Sequence, residues 1–106
     1  MHADQFKQQV MMILGTDIKF DGHVEGVVDG LSEDKQQRLL DWVKNCQAGI
    51  NRPEPCKHYP HLITFIYKSN DNKIRGLLTK EKNSYFIELF LDNHKYYDRK
   101  RKYLGL

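Results

Sequence analysis

Apolar residues follow two different rhythms along the chain. Up to about residue 48 they recur at helical spacing, and from His61 onward they cluster in short β-prone runs. In the first stretch Phe6, Val10, Ile13 and Leu14 fall at i, i+4, i+7 and i+8, the single stripe of an amphipathic helix over residues 3–14. Gly15 offers its stop. In "TDIKFDGHVEGVVDGL", Ile18 and Phe20 fit a short strand closed by an Asp21-Gly22 turn, and Val24, Val27, Val28 and Leu31 fit a helical face. Residues 32–48 give the clearest helix. Ser32 is a good N-cap, and Glu33 and Asp34 suit the positive end of the helix dipole. Leu39, Leu40, Val43 and Cys46 make its buried face with Trp42 at the edge, and Gly49 ends it. Pro53 and Pro55 then turn "INRPEP" into a rigid connection.

The second rhythm is carried by "HLITFIYK", "KIRGLLTK" and "SYFIELFLD", rich in β-branched and aromatic residues and separated by the turn-prone "SNDN" and "EKN". Three such runs with short turns predict an antiparallel meander. In the last, Tyr85, Ile87, Leu89 and Leu91 face one way, toward the helices. Phe86, Glu88, Phe90 and Asp92 face the other. The predicted fold is α+β: N-terminal helices packed on a C-terminal three- or four-stranded antiparallel sheet, in a single domain spanning 1–106.

Composition narrows the class. Of 106 residues, 40% are apolar and 29% charged, the balance of a folded globular domain rather than a disordered chain. The longest apolar run, Val10 to Leu14, is far too short to cross a bilayer, and no basic leader with an apolar core is evident. Two cysteines make no disulfide framework, which points to a reducing cytoplasm. The net charge of +3 hides a polarity. Residues 1–53 carry 6 cations and 8 anions, whereas residues 54–106 carry 11 cations and 6 anions. A basic half of this kind meets a polyanion or simply solvates a tail, and charge alone does not choose.

Three constellations hold candidate chemistry. Cys46, Cys56, His58 and His61 are zinc-ligand types, but Cys46 lies on a buried helix face and the spacing matches no common zinc pattern. Cys56 beside Lys57 and His58 has cations that would lower a thiol pKa, without a glycine elbow or helix N-terminus to support a nucleophile. The glycines at 22, 26 and 30 do not form a phosphate loop, because Asp21, Glu25 and Asp29 would repel the anion and no lysine follows. The third constellation is "HKYYDRKRKY", His94 to Tyr103. Its cations suit phosphates, and its tyrosines and histidine suit stacking on unpaired bases. Cleavage of RNA needs a proton taken from a 2′-hydroxyl, a phosphate held by cations and a proton given to the leaving oxygen. His94, Tyr97 and Arg75 have the side chains for those tasks, and Gly76 removes a side chain beside Arg75. Alternatively Arg75 pairs with Glu88 on the neighbouring strand. The tail also fits a short helix through Tyr96, Tyr97, Lys100 and Leu104, in which case its tyrosines cover the sheet.

The end of the last strand with its His-x-x-Tyr-Asp, "FIELFLDNHKYYDR", resembles the C-terminal part of RelE/ParE-superfamily toxins, most of all the HigB-like branch. "VVDGLSEDKQQRLLDWVKNCQAG" is similar to the helical part of those toxins. The resemblance spans about residues 27–99 and implies a ribosome-dependent mRNA endonuclease neutralised by an antitoxin protein. It implies His94, Tyr97 and Asp98 as catalytic. Arg75, and Lys57 with Lys95, Arg99, Lys100, Arg101 and Lys102, are candidate phosphate and RNA contacts chosen by their chemistry. No metal or cofactor enters this scheme. Asn93 stands where the family has threonine, and the N-terminal helix and "KRKYLGL" are additions. Relatives of the ParE type act on DNA gyrase instead. Three readings follow: a small endoribonuclease, a non-catalytic module that docks on nucleic acid or acidic protein through the same segment, and a plain interaction or inhibitor protein.

Overall fold

The computed structural model describes residues 1–106. Helix α1 (Ala3–Leu14) leads to β1 (Ile18–Phe20), α2 (Val24–Asp29) and α3 (Glu33–Gln47), followed by β2 (Glu54–Pro55), β3 (Ile63–Lys68), β4 (Ile74–Glu81) and β5 (Ser84–Leu91). A last helix, α4 (His94–Leu104), closes the chain. The five strands form one sheet in the order β1-β5-β4-β3-β2. The α+β class holds as expected, with three helices ahead of the meander, while β1 lies between α1 and α2 and α4 follows the last strand. The sheet is wider than expected and mixed. β3, β4 and β5 are the antiparallel meander, β2 adds a two-residue antiparallel edge, and β1 runs parallel to β5. The parallel pairing joins strands far apart in the chain, with α2, α3 and β2 to β4 between them.

The periodicity of each helix explains its seat. Phe6 and Val10 of α1, Val24 and Val28 of α2, and Leu39 and Val43 of α3 are completely buried. They meet Phe65, Ile74, Leu78, Ile87 and Leu89 on one sheet face. Ser32 caps α3 by accepting from the Lys35 N–H at 3.3 Å. Gln36 is a buried polar exception on that helix. Its amide donates to the carbonyls of Met1 and Val28, both at 2.9 Å, and so ties three segments together.

Trp42 is not at the edge of the core but inside it, and Gly76 makes room for it. A Cβ on Gly76 would lie 3.2 Å from the Trp42 ring and from Tyr67 Cβ. The bare backbone beside Arg75 therefore admits an indole from the helix layer, not a ligand.

The second sheet face is covered by α4. Tyr97 and Leu104 pack on Leu77 and Phe90 of the sheet and on Cys56. The tail is thus a helix and not a solvated extension. Asn93 caps it by accepting from the Tyr96 N–H at 3.3 Å. Its far end is latched: the Lys57 N–H donates to the Gly105 carbonyl, the His58 N–H to the Leu104 carbonyl, and His58 Nδ1 to the Tyr103 carbonyl at 3.2 Å. Gly105 sits at φ +79°, and a Cβ there would lie 2.8 Å from His58 N. We expect Gly105→Ala to lower stability by about 1–3 kcal/mol through strain and loss of the latch. Thermal melts give the size, and faster amide exchange at Lys57 and His58 shows that the loss is local to the latch.

Candidate functional site under the C-terminal helix

Because side chains alternate along a strand, Arg75, Leu77 and Thr79 of β4 and Phe86, Glu88 and Phe90 of β5 all point at the α4 side. The register sets Arg75 opposite Phe90 and Glu88 opposite Leu77. Arg75 and Glu88 therefore do not pair. Each instead finds a partner on α4, and the site divides in two.

The first half contains most of the residues singled out in sequence. Tyr97 is 5% exposed, packed edge-on against Phe90 at 5.5 Å between ring centres. Two guanidinium groups flank its ring: Arg75 at 5.6 Å and Arg101 at 5.7 Å. Arg75 is half-buried and steadied by donating to the Asn72 carbonyl at 2.9 Å. Burial pushes the Tyr97 phenol above its ordinary value, with Arg101 and Arg75 pulling the other way. The phenol therefore keeps its proton at neutral pH and is a donor, not a base. His94 opens the helix on the surface, one turn before Tyr97. Asp98 is exposed and shares a hollow with Lys95, Arg99, Arg101 and Lys102. Lys57 lies apart from that hollow, in the loop that latches the end of α4.

The second half centres on Glu88, which sequence reading noted only as a partner for Arg75. It is 4% exposed. Its Oε2 lies 3.7 Å from Lys100 Nζ, while Oε1 is buried without a hydrogen-bond partner. Lys100 Nζ also sits 5.1 Å from the Tyr103 ring centre and 5.8 Å from that of Phe86. Desolvation raises the Glu88 carboxyl to about 7, with Lys100 opposing the rise and Asp21 adding to it. A cleft of about 490 Å³ opens beside it, walled by Tyr59, Tyr85, Phe86 and Tyr103. The other charged groups around the carboxyl and the cleft are Arg99 of α4, Asp17 and Lys19 at β1, and Glu81 of β4. Only the strict in-out alternation of β5, with a carboxylate on an otherwise aromatic face, could have flagged this residue from sequence.

The two cysteines sit on opposite sheet faces, both reduced. Cys56 is 1% exposed, and its Sγ shares a hydrogen bond with Thr64 Oγ1 at 3.2 Å, which makes it a packing residue. Burial lifts the Cys46 thiol to about 11. No three His, Cys, Asp or Glu side chains come together as a metal site. No helix is long and apolar enough to cross a membrane. No protein-family model, no curated protein and no solved structure matches the chain.

A carboxyl whose folded pKa lies above its unfolded value weakens the fold wherever the unfolded chain ionises. For Glu88 that penalty is absent below the usual 4.5, grows with pH and is complete above about 7. We expect Glu88→Gln to melt higher than the parent at pH 8, by ~2 kcal/mol, and to match it at pH 4. Melts at the two pH values check this; an equal difference at both would contradict the burial.

Proposed function

We propose that this protein is a small endoribonuclease of the toxin type, cutting mRNA by acid–base chemistry at the start of α4. The observation that carries the reading is the Arg75–Tyr97–Arg101 stack, in which strand and helix bring two guanidinium groups to one phenol just after His94. A pair of planar cations suits a phosphodiester and the extra charge of its transition state. In the proposed step His94 takes the proton of the 2′-hydroxyl as its oxygen attacks phosphorus. Tyr97 gives its proton to the 5′-oxygen as the phosphorus–oxygen bond breaks, leaving a 2′,3′-cyclic phosphate. Asp98 lies four residues beyond His94, at the helical spacing that lets a carboxylate orient an imidazole.

The resemblance of residues 27–99 to RelE/ParE-superfamily toxins supports the same reading, as does the exposed row of Lys95, Arg99 and Lys102. The ribosome as the place of action, and an antitoxin as a partner, belong to this proposal. Binding without cleavage is favoured by one observation: Tyr97 is buried and, unlike Glu88, lines neither the cleft beside Tyr103 nor the hollow at Asp98, which leaves its phenol little access to a substrate.

Expression followed by primer extension on cellular transcripts tests the proposal. We expect new transcript ends with the parent, a loss of roughly a hundredfold or more in His94→Ala and Arg75→Ala, and parental cutting in Lys44→Ala on the opposite layer. Intact transcripts, or cutting by His94→Ala at the parental rate, overturn the catalytic reading.

A further inference from the structure

We infer that the cleft beside Glu88 is a nucleobase pocket that selects an unpaired guanine, with Glu88 reading the base edge and Lys100 and Arg99 meeting the adjoining phosphate. The inference rests on the RNA reading above for its polymeric source, though not on cleavage or on His94.

Four features converge on this occupant. The cleft holds about 490 Å³, within the range of small-ligand sites and ample for one nucleoside. Its walls are aromatic: Tyr103 lies 5.3 Å from Tyr59 between ring centres, with Tyr85 and Phe86 on the sheet side. Such walls stack on any base. One cation, Lys100, stands at the rim beside Tyr103, and Arg99, over Tyr96 at 5.9 Å, lines the adjoining hollow that shares Phe86, Glu88, Lys100 and Tyr103 with the cleft.

The fourth feature sets the choice of base. Glu88 Oε1 is buried and has no donor, and Oε2 has only Lys100 at 3.7 Å, longer than a good hydrogen bond. A carboxylate with this much unused acceptor capacity is matched by a ligand that presents adjacent N–H groups. The Watson–Crick edge of guanine offers two, from N1 and the exocyclic N2. Uracil places carbonyl oxygens on both sides of its one N–H. Adenine and cytosine set a bare ring nitrogen next to their amino group. In each of those three bases an acceptor would face the carboxylate and be repelled.

The test uses 2′-O-methyl pentaribonucleotides, which lack the free hydroxyl that cleavage needs, with one G, A, C or U between uridines. Affinities are measured at pH 8 by fluorescence anisotropy for the parent and for Glu88→Gln, with GMP as competitor. We expect the G oligomer to bind at least tenfold tighter than the others and GMP to displace it. Glu88→Gln should lose that preference, since an amide offers one donor and one acceptor and so matches an edge of each of the four bases. A helix that merely needs Glu88 for packing would not change its base preference. Equal affinity for all four oligomers overturns the pocket while leaving the RNA reading intact. Binding of GMP without the oligomers supports the pocket and sinks the polymeric reading. Failure of both to bind overturns the pocket outright.

Discussion

The site exists because one helix is held over a sheet face that is otherwise covered only by the 56–62 segment and the chain's last residue. Tyr97 and Leu104 bury themselves on Leu77, Phe90 and Cys56, and the loop at Lys57 and His58 grips the last turn through backbone hydrogen bonds. Each well-buried large side chain contributes about 1.5–3 kcal/mol, so the two anchors and the latch are what seat the helix on the sheet, on top of its own backbone hydrogen bonds. Between the anchors α4 does not seal against the sheet. Lys100, one turn after Tyr97, hangs over Glu88 and the cleft opens there. The packing that secures the helix and the gap that makes a site are consequences of the same spacing.

Glu88 is the place where this arrangement acts against stability. A sequence optimised only to fold would put a leucine opposite Leu77 on an interior sheet face. Instead a carboxyl stands there, raised to about 7, with one oxygen unpartnered. Local rules broken without structural gain concentrate at functional sites. The Arg75–Tyr97–Arg101 stack is different in kind. Arg75 is compensated by the ring face and by the Asn72 carbonyl, while Arg101 has the ring face but leaves its Nε buried without a partner, so the stack breaks local rules less than Glu88 does. Energetically, then, the second half of the site is the stronger sign of selection for something other than folding.

The elements were largely legible, because helix stripes and strand alternation depend on local spacing. Phe6 and Val10, Leu39, Leu40, Val43 and Cys46 of α3, and the alternation of β5 from Tyr85 to Phe90 read correctly from period alone, whereas Leu91, read as facing the helices, is exposed. Pairings between distant segments did not. The parallel seat of β1 and the edge strand at Pro55 depend on chain path, and Trp42 entered the core because Gly76, 34 residues later, leaves it space. The tyrosines, read together either as base-stacking groups or as cover for the sheet, divide between the two. Tyr97 is buried, while Tyr96 and Tyr103 are 45% and 57% exposed. Which tyrosine faces the sheet depends on where the Asn93 cap starts the helix, and that rotation is invisible to composition.

The cations of α4 divide by the same rotation. Lys100 answers Glu88, and Arg101 answers Tyr97. Arg101 also complements the negative end of the helix dipole in its last turn. Charge that looked uniform in "KYYDRKRK" thus has fold-bound members, leaving Lys95, Arg99 and Lys102 on the surface. Three free cations are too few for tight binding by counterion release alone, since each neutralised phosphate adds under one power of the salt dependence. A polyanion held here at useful affinity needs contacts beyond charge. The aromatic walls beside Glu88 and the exposed ring of Tyr103 are where the fold supplies them.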